Sequence, residues 1–261
     1  MKREVERDEF KRKRMERQRK IRKRRFTAFF VIFIITAICV GAVLSLTVFF
    51  NIEHISIKGS KIYSAEEILK ASELSKKNNL FATSENTVEE KIKAKLPYVE
   101  SIDFKRELPH TLTVTVKDAV EFANYKLGEK YYKVTSSGWV LEELYEKPEN
   151  LMLITAQKVK CRVGSEVIFE DITQKTLVDD IIKSLENEKI KVNEIDTTNI
   201  VGISLIVDNR FEVNLGTANN INEKIKHLGG MIKELPEDEK GKIDLSIWSK
   251  DNTKGTFKAE K

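Results

Sequence analysis

The 261-residue chain carries 46 Lys or Arg against 41 Asp or Glu, a formal net charge of +5. Fourteen of those bases and only five acids lie in residues 1–25, so that segment holds +9 and the remainder −4. A mildly acidic remainder argues against a nucleic-acid partner, and two cysteines, Cys39 and Cys161, are too few for a disulfide framework.

The elements follow in chain order. Residues 1–25 form a basic tail whose last bases are Lys20, Arg22, Lys23, Arg24 and Arg25. Residues 26–50, FTAFFVIFIITAICVGAVLSLTVFF, contain no charge and no proline. As a helix they would extend roughly 37 Å, more than the ~30 Å hydrocarbon core of a bilayer, and they read as one transmembrane helix. The Lys/Arg bias places the N-terminus in the cytoplasm and everything after Phe50 outside the plasma membrane. The run is too long for a cleaved signal and no A-x-A site follows it, so it reads as an uncleaved anchor. Cys39 falls in this span, which leaves Cys161 without an internal disulfide partner.

Beyond the span, Ile55 and Ile57 alternate as in a half-buried strand, ended by Gly59. Ser64 to Glu67 has the form of a capping box opening a helix to about Leu74, and Thr87 to Glu90 has the same form. In that second helix Val88, Ile92 and Leu96 share a face, and Pro97 closes it. A strand pair follows, with Leu112, Val114 and Val116 on one face and a turn through Pro109. The sum over residues 51–119 is strand, helix, helix, strand, strand, with both helices on one face of a three-stranded sheet. Residues 120–248 read as a second α+β domain with a mainly antiparallel sheet. Strand candidates are 120–125, 130–134, 139–144, 151–155, 190–196, 200–207 and 210–215, with Asp208-Asn209 as a hairpin turn. Helices are predicted over about 172–188 and from a cap at Asn219 or Asn220, where Ile221, Ile225, Leu228, Ile232 and Leu235 form one stripe. Gly241 to Trp248 reads as a final strand and 249–261 as a polar tail.

Residues able to carry chemistry are sparse. His54, His110 and His227 are the three histidines, and no two have helical i, i+4 spacing. No H-E-x-x-H, C-x-x-C, G-x-S-x-G or phosphate-loop pattern occurs. Asp179-Asp180 and Glu142-Glu143 are sequence neighbours that do not face each other. His227 and Cys161 read as ordinary surface and packing residues. The expectation is no enzyme, no metal, no cofactor and no small-molecule substrate.

The order of these elements resembles a known family. Ile52-x-x-Ile55-x-Ile57-x-Gly59, then Ser64 and Ile68, is similar to the opening of the POTRA domain of the bacterial cell-division proteins FtsQ and DivIB. Leu96-Pro97-Tyr98-Val99 and Arg106-Glu107-Leu108-Pro109-His110-Thr111-Leu112 resemble the pattern that closes it. Arg210 to Gly216, with Lys224 and Leu228 beyond, and Gly241 to Leu245 resemble the following β domain. One departure is Asp118-Ala119-Val120-Glu121, where the family usually has proline after the acidic residue. The resemblance implies a non-enzymatic scaffold at the division septum. It would bind partners resembling FtsL and FtsB/DivIC, and act on a septal peptidoglycan synthase, to assemble the septum. It also implies that the far end of the β domain is the partner surface. There Ile243, Leu245, Ile247 and Trp248 would line a terminal strand whose open edge can accept another chain, while Gly59 and Pro109 would set turns. The competing readings are a POTRA module for polypeptide transport and a membrane-anchored sensor.

Overall fold

The computed structural model describes residues 27–41, 43, 49–248 and 254–260. Residues 27–41 are helical with outward-facing apolar side chains; Phe29 is 69% exposed and Phe33 61%. The rest of the predicted span, 26, 42 and 44–48, lies outside the described residues. So does the basic tail with Lys20, Arg22, Lys23, Arg24 and Arg25. Among the described residues no helix is long and apolar enough to cross a membrane.

The strand–helix–helix–strand–strand order is present as β1 (His54–Lys58), α1 (Ala65–Ser72), α2 (Glu85–Lys95), β2 (Val99–Glu107) and β3 (Thr111–Asp118). The three strands form one sheet in the order β1-β3-β2. Leu112, Val114 and Val116 are buried as their alternation predicts, and Thr113 is buried with them. The Ser64 box forms in full: Ser64 Oγ accepts from Glu67 N–H, and Glu67 Oε2 accepts from Ser64 N–H at 2.8 Å. The Thr87 box does not form. The helix begins two residues earlier, at Glu85, so Thr87 lies inside it.

The chain divides into two compact units. One contains the described residues up to Ser56 with Leu74–Ser84 and Phe104–Val114. It is held by backbone bonds at the strand entry: Ile52 N–H donates to Asn78 O at 2.9 Å and Leu80 N–H to Phe50 O at 2.7 Å. Arg106 braces it, with Nε donating to Leu80 O at 3.0 Å and Nη2 to Thr83 O at 3.1 Å.

The other unit contains Ile57–Glu73, Glu85–Asp103 and the described residues from Thr115 onward. Here Gly59 has φ +99°, and a Cβ on it would lie 2.2 Å from Val116 O, so both the turn and the packing require glycine. Its main feature is a nine-stranded mixed sheet. The strands are β4 (Ala123–Leu127), β5 (Lys130–Val134), β6 (Val140–Leu144), β7 (Met152–Thr155), β10 (Val192–Asp196), β11 (Ile203–Val207), β12 (Phe211–Gly216), β13 (Gly241–Asp244) and β14 (Thr256–Ala259). Their order is β14-β13-β12-β11-β10-β7-β4-β5-β6. A small separate hairpin, β8 (Val159–Lys160) and β9 (Ile168–Phe169), was not expected from the sequence.

The expected mainly antiparallel pairing holds for five ladders. β4–β7, β7–β10 and β12–β13 are parallel. Two of those pairs need a crossover, and the two long helices supply them: α3 (Ile172–Glu188) joins β7 to β10, and α4 (Ile221–Glu234) joins β12 to β13. Ile181 and Leu185 of α3 and Ile225 and Leu228 of α4 bury against Leu205, Phe211, Val213 and Leu215 in one core. Asp208 and Asn209 both have positive φ, +54° and +53°, the conformation a two-residue primed hairpin turn demands.

At the β5–β6 side, Tyr98 Oη lies 2.9 Å from Glu121 Oε1 and 3.0 Å from Glu142 Oε2. Lys133 Nζ sits 3.0 and 3.3 Å from the same two carboxylates. Burial and the two carboxylates push the Tyr98 phenol far above its ordinary range. Trp139 Nε1 donates to Pro97 O at 3.2 Å, so residues 97–98 are fixed to this end of the sheet.

Candidate partner-binding surface

The surface expected from the sequence was the strand 241–248. The strand is shorter: β13 ends at Asp244, and a turn closed by Trp248 N–H to Leu245 O at 3.1 Å follows. Nor is β13 the edge. The expected polar tail folds back as β14, antiparallel to β13 with Gly241 opposite Ala259 and Asp244 opposite Thr256. β14 is therefore the terminal strand among the described residues.

The ladder parity tells which peptide groups of β14 are open. Glu260 N–H donates to Lys240 O at 2.9 Å. With side chains and peptide groups alternating, Lys258 and Thr256 point their N–H and C=O at β13, opposite Lys242 and Asp244. Phe257 and Ala259 point theirs away, toward the open edge. That is the arrangement a further strand needs.

Three features fix β14. Phe257 packs on the main core and meets Phe211 edge-to-face, centroids 6.1 Å apart. Gly241 leaves room for it, since a Cβ there would lie 2.3 Å from Lys258 O and 3.0 Å from Ala259 Cα. Gly216, at φ +65°, lets β12 end against Ser246, whose Cα would be 2.8 Å from a Cβ. Gly241→Val is expected to detach β14: the amides of Lys258 and Glu260 should lose hydrogen-exchange protection while those of β11 and β12 keep it.

Sequence similarity bears directly on this arrangement. Residues 50–118 match the family described as POTRA domain, FtsQ-type. Cell division protein DivIB of Clostridium acetobutylicum is 27% identical over 216 residues, 80% of this chain and 85% of the relative. The DivIB proteins of Clostridium botulinum strain Hall and Clostridium tetani are 28% and 25% identical, each over 76% of this chain. Together the POTRA match and these relatives support the FtsQ/DivIB family of cell-division proteins for this chain.

In this chain the four residues expected to be partner contacts are placed differently. Ile243 and Leu245 are fully buried in the main core, so their side chains stabilise the edge rather than touch what lies beyond it. Ile247 is 65% exposed. Trp248 is buried against the core, with its ring 6.1 Å from that of His227. Its Nε1–H has no hydrogen-bond partner among the described residues. It borders a groove of about 430 Å³ with Glu223, His227, Met231 and Glu234 of α4.

The sequence marks Lys224 only as part of a motif. It is fully buried, and its ammonium donates to Leu215 O at 2.6 Å and Thr217 O at 2.9 Å, fastening the end of β12 to α4. Burial pulls its pKa below the usual lysine value. Of the two expected caps, Asn219 or Asn220, it is Asn220 that stands at the N-cap position; it has φ +54° and makes no side-chain cap bond. Pro109 lies between β2 and β3, after a cis peptide bond. Burial pushes the Cys161 thiol up to about 12, which keeps it from acting as a thiolate nucleophile near neutral pH. Among the described residues no group of three His, Cys, Asp or Glu side chains is placed to hold a metal.

Proposed function

We propose that the chain is a non-enzymatic scaffold of the bacterial division apparatus. It is anchored by residues 26–50 with the basic tail in the cytoplasm. Its outer part binds partners resembling FtsL and FtsB/DivIC and through them influences septal peptidoglycan synthesis. The observation that carries the partner role is the outer edge of β14, where the peptide groups of Phe257 and Ala259 face away from the sheet. Main-chain bonds along such an edge supply affinity, and neighbouring side chains supply selectivity. Gly255, which leads into β14, lies against Leu245 and against Met231 of the α4 groove, so that groove with Trp248 suits the second task.

Fused at its N-terminus to a fluorescent protein, the full chain is expected to form a midcell band that assembles with the septum. An even membrane outline throughout division would remove the scaffold reading and favour transport or sensing.

A further inference from the structure

The exposed apolar surface does not stop at residue 50. Phe49 is 66% exposed, Phe81 50% and Leu108 62%. Their segments are tied to one another. Phe50 O accepts from Leu80 N–H at 2.7 Å, and the Phe50 and Phe81 rings meet edge-to-face at 5.2 Å. The N–H groups of Glu53 and His54 reach His110 O at 2.9 and 3.2 Å, which holds the turn bearing Leu108 to the same strand entry.

The loop carrying Phe81 also satisfies its own backbone. Asn79 Oδ1 accepts from the N–H groups of Phe81 and Ala82 at 2.9 and 3.1 Å. Asn79 O accepts from Thr83 N–H at 3.1 Å and Thr83 Oγ1 at 2.7 Å. Arg106 takes up the carbonyls of Leu80 and Thr83. These bonds occupy peptide groups that water would otherwise have to satisfy, which suits a loop that enters a low-dielectric phase.

We infer that Phe49, Phe81 and Leu108 form an apolar foot that enters the interfacial layer of the lipid bilayer, beside the point where the chain leaves it. Lipid is the occupant because the patch continues an uncharged apolar segment that ends at residue 50, and because rings at such a boundary favour the headgroup layer. Lys76 and Lys77 stand exposed on the adjoining loop, placed for anionic headgroups. The inference rests on the reading of residues 26–50 as a membrane anchor.

The test uses the full chain with Cys39 and Cys161 changed to serine. Single cysteines are introduced as Phe33→Cys, Phe81→Cys, Ala82→Cys, Leu108→Cys and Ile200→Cys and carry an environment-sensitive dye. Ala82→Cys keeps the Phe50–Phe81 contact, and Ile200, 62% exposed, is the aqueous reference. The vesicles are phosphatidylethanolamine and phosphatidylglycerol, with or without bromine on the acyl chains. Dyes at 33, 81, 82 and 108 are expected to lose roughly half their emission to brominated lipid, as groups seated at the headgroup–acyl boundary do, and the dye at 200 none. Quenching at 33 alone, with 81, 82 and 108 matching 200, overturns the foot and spares the anchor. No quenching at 33 overturns both. Dyes at 81 and 108 that are shielded from a soluble quencher yet insensitive to bromine would show a protein cover, which also overturns the lipid assignment.

Discussion

Ala259→Pro is expected to weaken binding of the strand-donating partner by about one to two orders of magnitude, the loss of one or two main-chain hydrogen bonds. The domain itself should stay as stable as before. Proline lacks the N–H that Ala259 points toward the open edge, and its ring crowds an incoming strand. The inward ladder to β13 runs through Thr256 and Lys258 and is untouched. Edge strands tolerate proline where the missing N–H would face away from the sheet. Lys258→Pro is the contrast: it removes an inward donor, so it should loosen β14 itself and lower protection of its amides. Calorimetric titration with the purified partner, alongside thermal unfolding, separates the two effects. Equal affinity for wild type and Ala259→Pro would rule out strand addition at this edge.

The second large effect is expected at Lys224. Lys224→Ala should lower the unfolding free energy by about 2–4 kcal/mol, from lost packing of the stem and two unpaired carbonyls, less the relief of an interior charge. Lys224→Met keeps the stem and should cost about half as much. The pH dependence has a defined sign. With the folded pKa pulled below the unfolded value near 10.4, the unfolded chain holds more protons between the two. Stability of the wild type relative to Lys224→Met should therefore rise as pH climbs through that window. Denaturant titrations of both proteins at several alkaline pH values measure it; a falling difference would mean that the carbonyls hold the ammonium more strongly than burial disfavours it.

Both sites lie where sequence pattern and structure part company. The long stripe from Ile221 to Leu228 and the Asp208-Asn209 turn were readable because period and turn chemistry are local properties. The Ser64 box was readable for the same reason, whereas the Thr87 box has the right letters two residues into a helix that has already started. The final strand reads too long because Ile243, Leu245 and Ile247 alternate with a strand's period, whereas the chain turns after Asp244 and packs Leu245 and Trp248 on the core. β14 was invisible for a different reason. It is four residues, TFKA, with one aromatic among polar neighbours, and its pairing depends on the bare face of Gly241. A lysine within an amphipathic helix likewise reads as solvent-facing until the position of β12 is known.

The nine-stranded sheet also sets a length. Its β6 end is fastened through Trp139 and Glu142 to Pro97 and Tyr98, and among the described residues its β14 end is unpaired. Eight inter-strand steps of about 4.8 Å make at most about 38 Å between those ends, less what twist takes away. The sheet thus works as a ruler with one end clamped. A strand joined at β14 becomes the next graduation on that ruler, so its distance from the clamp is dictated by hydrogen-bond spacing rather than by a flexible tether.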